Sequence, residues 1–222
     1  RPVVADAAMG EQVLSGGWYS RWVFPWILEA AMRQPRLEPL RREALAPAAG
    51  SVLEIGIGTG LNCSHYPASC RSIAAVDTNP ALTGRARHRA AAAGMTVAHQ
   101  ALSAEALPFE DASFDTVVST FTMCSIPDLG RALGELRRVL KPGGQVLFLE
   151  HGLSPDAAVA RWQRRLTPAW RVIGDGCHLD RDTPAELADA GLAIDTLRQC
   201  YLPGAPRFAG FLSLGVARRA TS

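Results

Sequence analysis

From about residue 50 onward, short apolar runs alternate with longer, more polar stretches. The runs at 51–55 (SVLEI), 72–77 (SIAAVD), 95–100 (MTVAHQ), 114–120 (FDTVVST) and 145–151 (QVLFLEH) read as strands. Between them GLNCSHY, PALTGRARHRAAAAG and DLGRALGELRRVLKPGG read as helices. The second opens with Pro80 in its first turn and stops at Gly94, and the third stops at Pro142-Gly143-Gly144. Several strands are continuously apolar rather than alternating, which predicts burial on both faces and a parallel sheet. Strand–helix–strand repetition then predicts a doubly wound α/β sandwich.

Beyond residue 152 the pattern loosens. TPAELADAG (183–191) predicts a helix with Thr183 as its cap, Pro184 in the first turn and Glu186 completing a capping box. LAIDTLRQCYL and FAGFLSLGVARRA read as two last strands around the turn-rich PGAPR. The Trp- and Arg-bearing segment 155–182 fits no sheet. The expected organisation is an N-terminal helical cap over 1–48 and one α/β domain over 49–222. That domain holds a single doubly wound, mainly parallel seven-stranded sheet with a substrate-side insertion at about 152–182.

Composition narrows the partners. The chain has 222 residues, 48% of them hydrophobic, and a formal charge of +2, which suits one globular domain and gives no polyanion footprint. No nucleic-acid partner is expected. Its five cysteines are scattered, without a CxxC pair, as in reduced cytoplasmic proteins. No transmembrane segment is expected, because the densest apolar stretch, WVFPWILEAAM (22–32), is short and broken by Pro25. It reads as a helix packed over the domain or its pocket. The oligomeric state is left open.

VLEIGIGTGLN (52–62) brings glycines to the end of the first strand. The spacing is Gly56-x-Gly58-x-Gly60, with Leu61 where a dinucleotide fingerprint needs its third glycine. A Walker loop would need a lysine. Both phosphate readings therefore fail, and a ligand without phosphate is expected, with Glu54 near enough to address an ammonium. Asp77 ends the second strand about 20 residues later, where an acid can accept both ribose hydroxyls. Thr78 beside it and Thr120 at the end of the fourth strand join this set.

VLEIGIGTG, VDTNP, ALSAEALPFEDASFDTVVS and ELRRVLKPGG resemble, in order and spacing, the motifs of class I S-adenosylmethionine-dependent methyltransferases. The resemblance implies S-adenosylmethionine as cofactor and S-adenosylhomocysteine as product. It also implies an adenine-reading loop at Ser103, Ala104 and Glu105, where the family more often carries Asp-Ala. Tyr19, from the cap, joins the cofactor set. TFTMCSIPD, FLEHG and RWQRRLTPAWRVIGDGCHLDRDT further resemble the mammalian alkyl-thiol methyltransferases and bacterial relatives. Those relatives carry a hydrophobic N-terminal anchor, which this sequence does not show.

A small thiol is thus the expected acceptor, with oxygen, nitrogen or carbon acceptors, or a non-catalytic adenosylmethionine-binding protein, as alternatives. His151 and His178 are the catalytic candidates, able to take a proton or stabilise a thiolate. Trp22, Met123, Cys124, Trp162, Trp170 and Cys177 are the expected pocket residues. No metal is expected, because neighbouring Cys177 and His178 cannot readily face one ion and four ligands are not in view.

Overall fold

The structure is a computed structural model in which residues 22–219 are described, the Phe24 side chain excepted. Seven strands, β1 (Val52–Ile55), β2 (Ser72–Val76), β3 (Thr96–Gln100), β4 (Phe114–Thr120), β5 (Leu140–His151), β6 (Leu192–Tyr201) and β7 (Phe211–Arg219), form one sheet. Their order is β3-β2-β1-β4-β5-β7-β6. The first five pair in parallel; β7 runs antiparallel to both β5 and β6. The sheet is the expected seven-stranded α/β arrangement, wound outward from β1 and β4.

The apolar runs become central strands because both of their faces are covered. All four residues of β1 are buried. Leu53 and Ile55 pack with α4 (Leu129–Val139), whose Leu129, Ala132, Leu133, Leu136 and Val139 are buried at helical spacing. Val52 faces the other way, with Leu45 of α2 (Glu38–Leu45) and Ala90 of α3 (Thr83–Ala92). α1 (Phe24–Met32) crosses the carboxyl edge of the sheet and is held to α3 by the Glu29–Arg89 ion pair. The Arg85 guanidinium also lies 4.1 Å from the Trp26 ring centroid.

Three local readings differ from the sequence expectation. GLNCSHY is a series of turns rather than a helix, with Cys63 N–H bonding Gly60 O and His65 N–H bonding Asn62 O. The stretch is too short to repay helix nucleation before Pro67. The helix α6 (Thr183–Asp189) is capped by Asp182, whose carboxylate accepts from Ala185 N, so Thr183 is its first residue and not its cap. β5 starts at Leu140, pairing Phe114, but the next pair is Gln145 with Thr116, so the Pro-Gly-Gly turn bulges out of a strand that has already begun.

Segment 155–182 carries α5 (Ala157–Ile173), capped by Asp156. Buried Gln163 fastens this helix: Oε1 accepts from Ser154 N, while Nε2 donates to Gly152 O and Phe208 O. Among the described residues no helix is long and apolar enough to cross a membrane.

Candidate functional site

The sheet order reverses between β1 and β4, and a crevice opens beyond the carboxyl ends of the strands on either side, where open α/β sheets take their ligands. Gly56, Gly58, Asp77, Thr78, Ser103 and Ala104 all line it, with Leu28 of α1, Leu82 and Leu102 as apolar wall. The loop glycines divide the work. A Cβ on Gly60, at φ +79°, would stand 2.8 Å from the Ala86 backbone, so Gly60 seats α3 and does not line the crevice. Gly58, at φ +56°, meets nothing closer than 3.9 Å and faces open space.

Asp77 organises this floor. Its Oδ2 accepts from Gly58 N at 2.8 Å and its Oδ1 from Asn79 N at 2.8 Å, which ties the glycine loop to the end of β2. Burial raises its pKa, against the lowering effect of those two bonds. Each oxygen keeps a lone pair for a ligand hydroxyl. Ser103 Oγ accepts from Glu105 N, and the Glu105 carboxylate is taken up by Ser103 and by Asp128 N, so Ser103 and Ala104 reach the crevice and Glu105 braces them.

The crevice continues past Gly56 and Phe121 into a second chamber lined by Arg41, Asn62 and Thr120. Arg41 is 5% exposed, and its guanidinium bonds the neutral Asn62 Oδ1 (2.7 Å) and Thr120 Oγ1 (3.3 Å). A buried cation whose direct hydrogen-bond partners are neutral, on the wall of a cavity, suits an anionic ligand group. Glu54 lies behind this chamber: Asn62 Nδ2 donates to its Oε1 at 2.6 Å and Tyr66 OH to its Oε2 at 2.8 Å. The structure therefore engages Glu54 internally and presents Arg41, which the sequence reading missed. In sequence Arg41 looks like one more charge in the polar stretch RREAL, and only its burial sets it apart.

Burial raises the Glu54 pKa from 4.5 to about 7, opposed by Tyr66, Asn62 and Arg41. A carboxyl whose folded value exceeds its unfolded one favours the fold fully below about pH 4.5, and that contribution is lost as pH rises through 7. Glu54→Gln, which keeps the shape, should gain on the parent protein between pH 5 and pH 8 by on the order of 3 kcal/mol. Urea unfolding at the two pH values measures this; parallel losses in both proteins would dismiss it.

Beside the crevice, behind the lining residues Ser125 and Asp175, three segments bring sulfur and imidazole together. Cys124 sits in the turn Met123–Ser125 after β4, His151 ends β5, and Cys177 lies between α5 and α6. His151 Nε2 is 2.9 Å from Cys177 Sγ, and the ligand atoms of all three residues lie within 4.8 Å of one another. Ser125 and Asp175, neighbours of this cluster in the chain, line the crevice. The Cys124 thiol is held well below its ordinary pKa, first by a hydrogen bond with Cys177 and then, against burial, by the charge of His151. Cys177 is pushed up by that same bond and by burial. For His151, burial opposes the charged form but the neighbouring Cys124 outweighs it.

The turn itself is rigidly built. Buried Glu150 accepts from Ser119 Oγ (2.7 Å), Thr122 N (3.0 Å) and Met123 N (3.3 Å), while the Arg181 guanidinium clasps the carbonyls of Met123 and Ile126. His178 contributes its backbone N–H to Cys124 O; its ring lies 3.9 Å from Asp180 and outside the cluster. Met123 is fully buried beneath the turn. Trp170 stacks edge-on against Phe208. Trp22 and Trp162 are 63% and 58% exposed, and neither they nor Met123, Cys124, Trp170 and Cys177 line either chamber. Tyr19 lies outside the described residues.

A methyltransferase-domain family model matches residues 53–148. Thiol S-methyltransferase TMT1B of Homo sapiens is 33% identical over 207 residues, covering 84% of each chain. The Rattus norvegicus protein of that name is 37% identical over 145 residues, 63% of this chain and 59%, less than two thirds, of its own. Among solved structures, the N-methyltransferase NodS from Bradyrhizobium japonicum, in complex with S-adenosylhomocysteine, superposes with a TM-score of 0.66 at 19% identity, covering 89% of this chain and 92% of that one. With a relative matched at this identity over 84% of each chain, and with the crevice, acidic strand end and strand order described above, the chain belongs to the class I S-adenosylmethionine-dependent methyltransferases.

Proposed function

We propose that the protein methylates the sulfur of a small, largely apolar thiol. The observation that carries this reading is the Cys124–His151–Cys177 cluster, whose chain neighbours Ser125 and Asp175 line the cofactor crevice. It is a polarisable, thiolate-compatible environment, the kind that stabilises an acceptor sulfur. Thiols also need little help from a base, since a few per cent is already ionised near neutrality. The two relatives named as thiol S-methyltransferases support the same acceptor.

Within this reading Asp77 would hold the ribose hydroxyls, Ser103 and the Ala104 backbone the adenine edge, and Arg41 the methionyl carboxylate. Gly58 would let the chain pass close to the ligand. Bound there, S-adenosylmethionine supplies a sulfonium-activated methyl, which the acceptor sulfur takes as it releases its proton and the donor becomes a neutral thioether. The chain's own task is positioning, which accounts for much of the rate of such displacements. Leu28 and Phe121 wall the junction of the two chambers with apolar surface.

Mass spectrometry of products from a matched panel of thiols, alcohols, amines, phenols and quinols tests the acceptor. S-methylated products from the thiols are expected, with the corresponding alcohols untouched. Methyl found only on oxygen, nitrogen or carbon would replace this acceptor with another.

A further inference from the structure

We propose that Cys124, His151 and Cys177 form a three-ligand site for one zinc ion, with the fourth position left for the acceptor sulfur. Nothing in the chain's spacing announces such a site; the fold assembles it from the end of β4, the end of β5 and the α5–α6 loop. Two sulfurs and one imidazole nitrogen are a borderline-soft donor set that selects zinc over magnesium or calcium. Three protein ligands and one open position is also the pattern of reactive, rather than closed structural, zinc centres. Two thiolates and a neutral imidazole cancel the charge of the ion, so the centre can be buried without an unpaired charge.

The geometry needs little adjustment. Zinc–sulfur bonds of about 2.3 Å and zinc–nitrogen bonds of about 2.0 Å at a tetrahedral angle set sulfur and nitrogen roughly 3.6 Å apart. His151 Nε2 and Cys177 Sγ, now 2.9 Å apart, would part by about 0.7 Å, a small side-chain motion for a half-buried cysteine in a loop. Cys124 is the fixed point, held in the turn that Glu150 and Arg181 clasp. His151 turns Nε2, not Nδ1, toward Cys177 Sγ, so ligation there would place the ring's proton on the buried Nδ1.

The acceptor half of the inference rests on the thiol reading, whereas the ion itself does not. On binding, the acceptor's S–H bond is exchanged for a zinc–sulfur bond and the proton leaves to solvent. The sulfur then reaches the crevice as a thiolate. Once methylated it is a neutral thioether, a poorer ligand that vacates the position.

The reduced, intact protein titrated with zinc alone against a chromophoric chelator should take up one ion per chain. Cobalt in its place should give the charge-transfer and d–d bands of a tetrahedral thiolate site, and a small thiol should alter them. Cys177→Ala, Cys124→Ser and His151→Ala should each weaken zinc by at least about 100-fold. Cys63→Ser and Cys200→Ser should not, and melting curves separate lost ligation from lost folding. Absence of stoichiometric binding, binding indifferent to the three substitutions, or a Cys124–Cys177 disulfide that persists in strong reductant would overturn the site. Unchanged thiol turnover after exhaustive chelation would overturn its role with the acceptor and leave the thiol reading standing. Tight, substitution-sensitive zinc binding with methyl transfer only to oxygen or nitrogen would sustain the site and remove the thiol reading.

Discussion

Asp77→Ala should lower affinity for S-adenosylhomocysteine by about 30- to 1,000-fold, the equivalent of 2–4 kcal/mol. With Asp77 as the proposed ribose ligand, two charge-assisted hydrogen bonds would disappear with the carboxylate. A second loss adds to the first, because the same oxygens hold Gly58 N and Asn79 N, so the glycine loop is freed from the end of β2. Asp77→Asn separates the two effects: its single carbonyl oxygen can keep one backbone bond but brings no charge. Its affinity should fall between those of the parent and the alanine protein. Calorimetric titration of folded variants measures all three, and the same titration with NAD or ATP should give no heat of binding, since the loop lacks a phosphate cradle. An alanine protein that binds as tightly as the parent would remove Asp77 from the site.

Gln163→Leu should destabilise the fold by about 3–5 kcal/mol, since each buried polar group that loses its partner costs about 1–3 kcal/mol. The side chain is 1% exposed and serves Ser154 N, Gly152 O and Phe208 O at once. Leucine fills a similar volume, so packing is kept while three backbone groups on two segments lose their partner. Urea unfolding gives the number. A loss below about 1 kcal/mol would mean that water replaces the amide, and that α5 is fastened elsewhere.

What the sequence made legible follows from how far apart the interacting residues lie. The central strands could be read directly, since burial on both faces writes an uninterrupted apolar run. The glycine loop and Asp77 were readable for the same reason: strand ends in a parallel sheet share one edge, and topology alone collects them. Glu54 shows where this stops. It lies between Leu53 and Ile55 in a strand buried on both faces, so it had to be buried too, and a buried acid in a strand needs internal partners. Those partners, Asn62 and Tyr66, lie 8 and 12 residues on and carry no mark in the sequence that ties them to it. The Cys124–His151–Cys177 cluster left no such trace as a set, because each of its residues lies on a different segment, although all three were named singly.

The place of β7 bears on how the protein comes off the ribosome. It is made last of the seven strands yet lies inside the sheet, between β5 and β6. Until residues 211–219 have emerged, the edge of β5 has no partner on that side, and β6 has nothing to pair with. A nascent chain that pauses before this point exposes two open edges, one of them apolar, of the kind that recruit other chains. Slow codons or stalling late in the message should therefore favour aggregation far more than the same delay placed before β3.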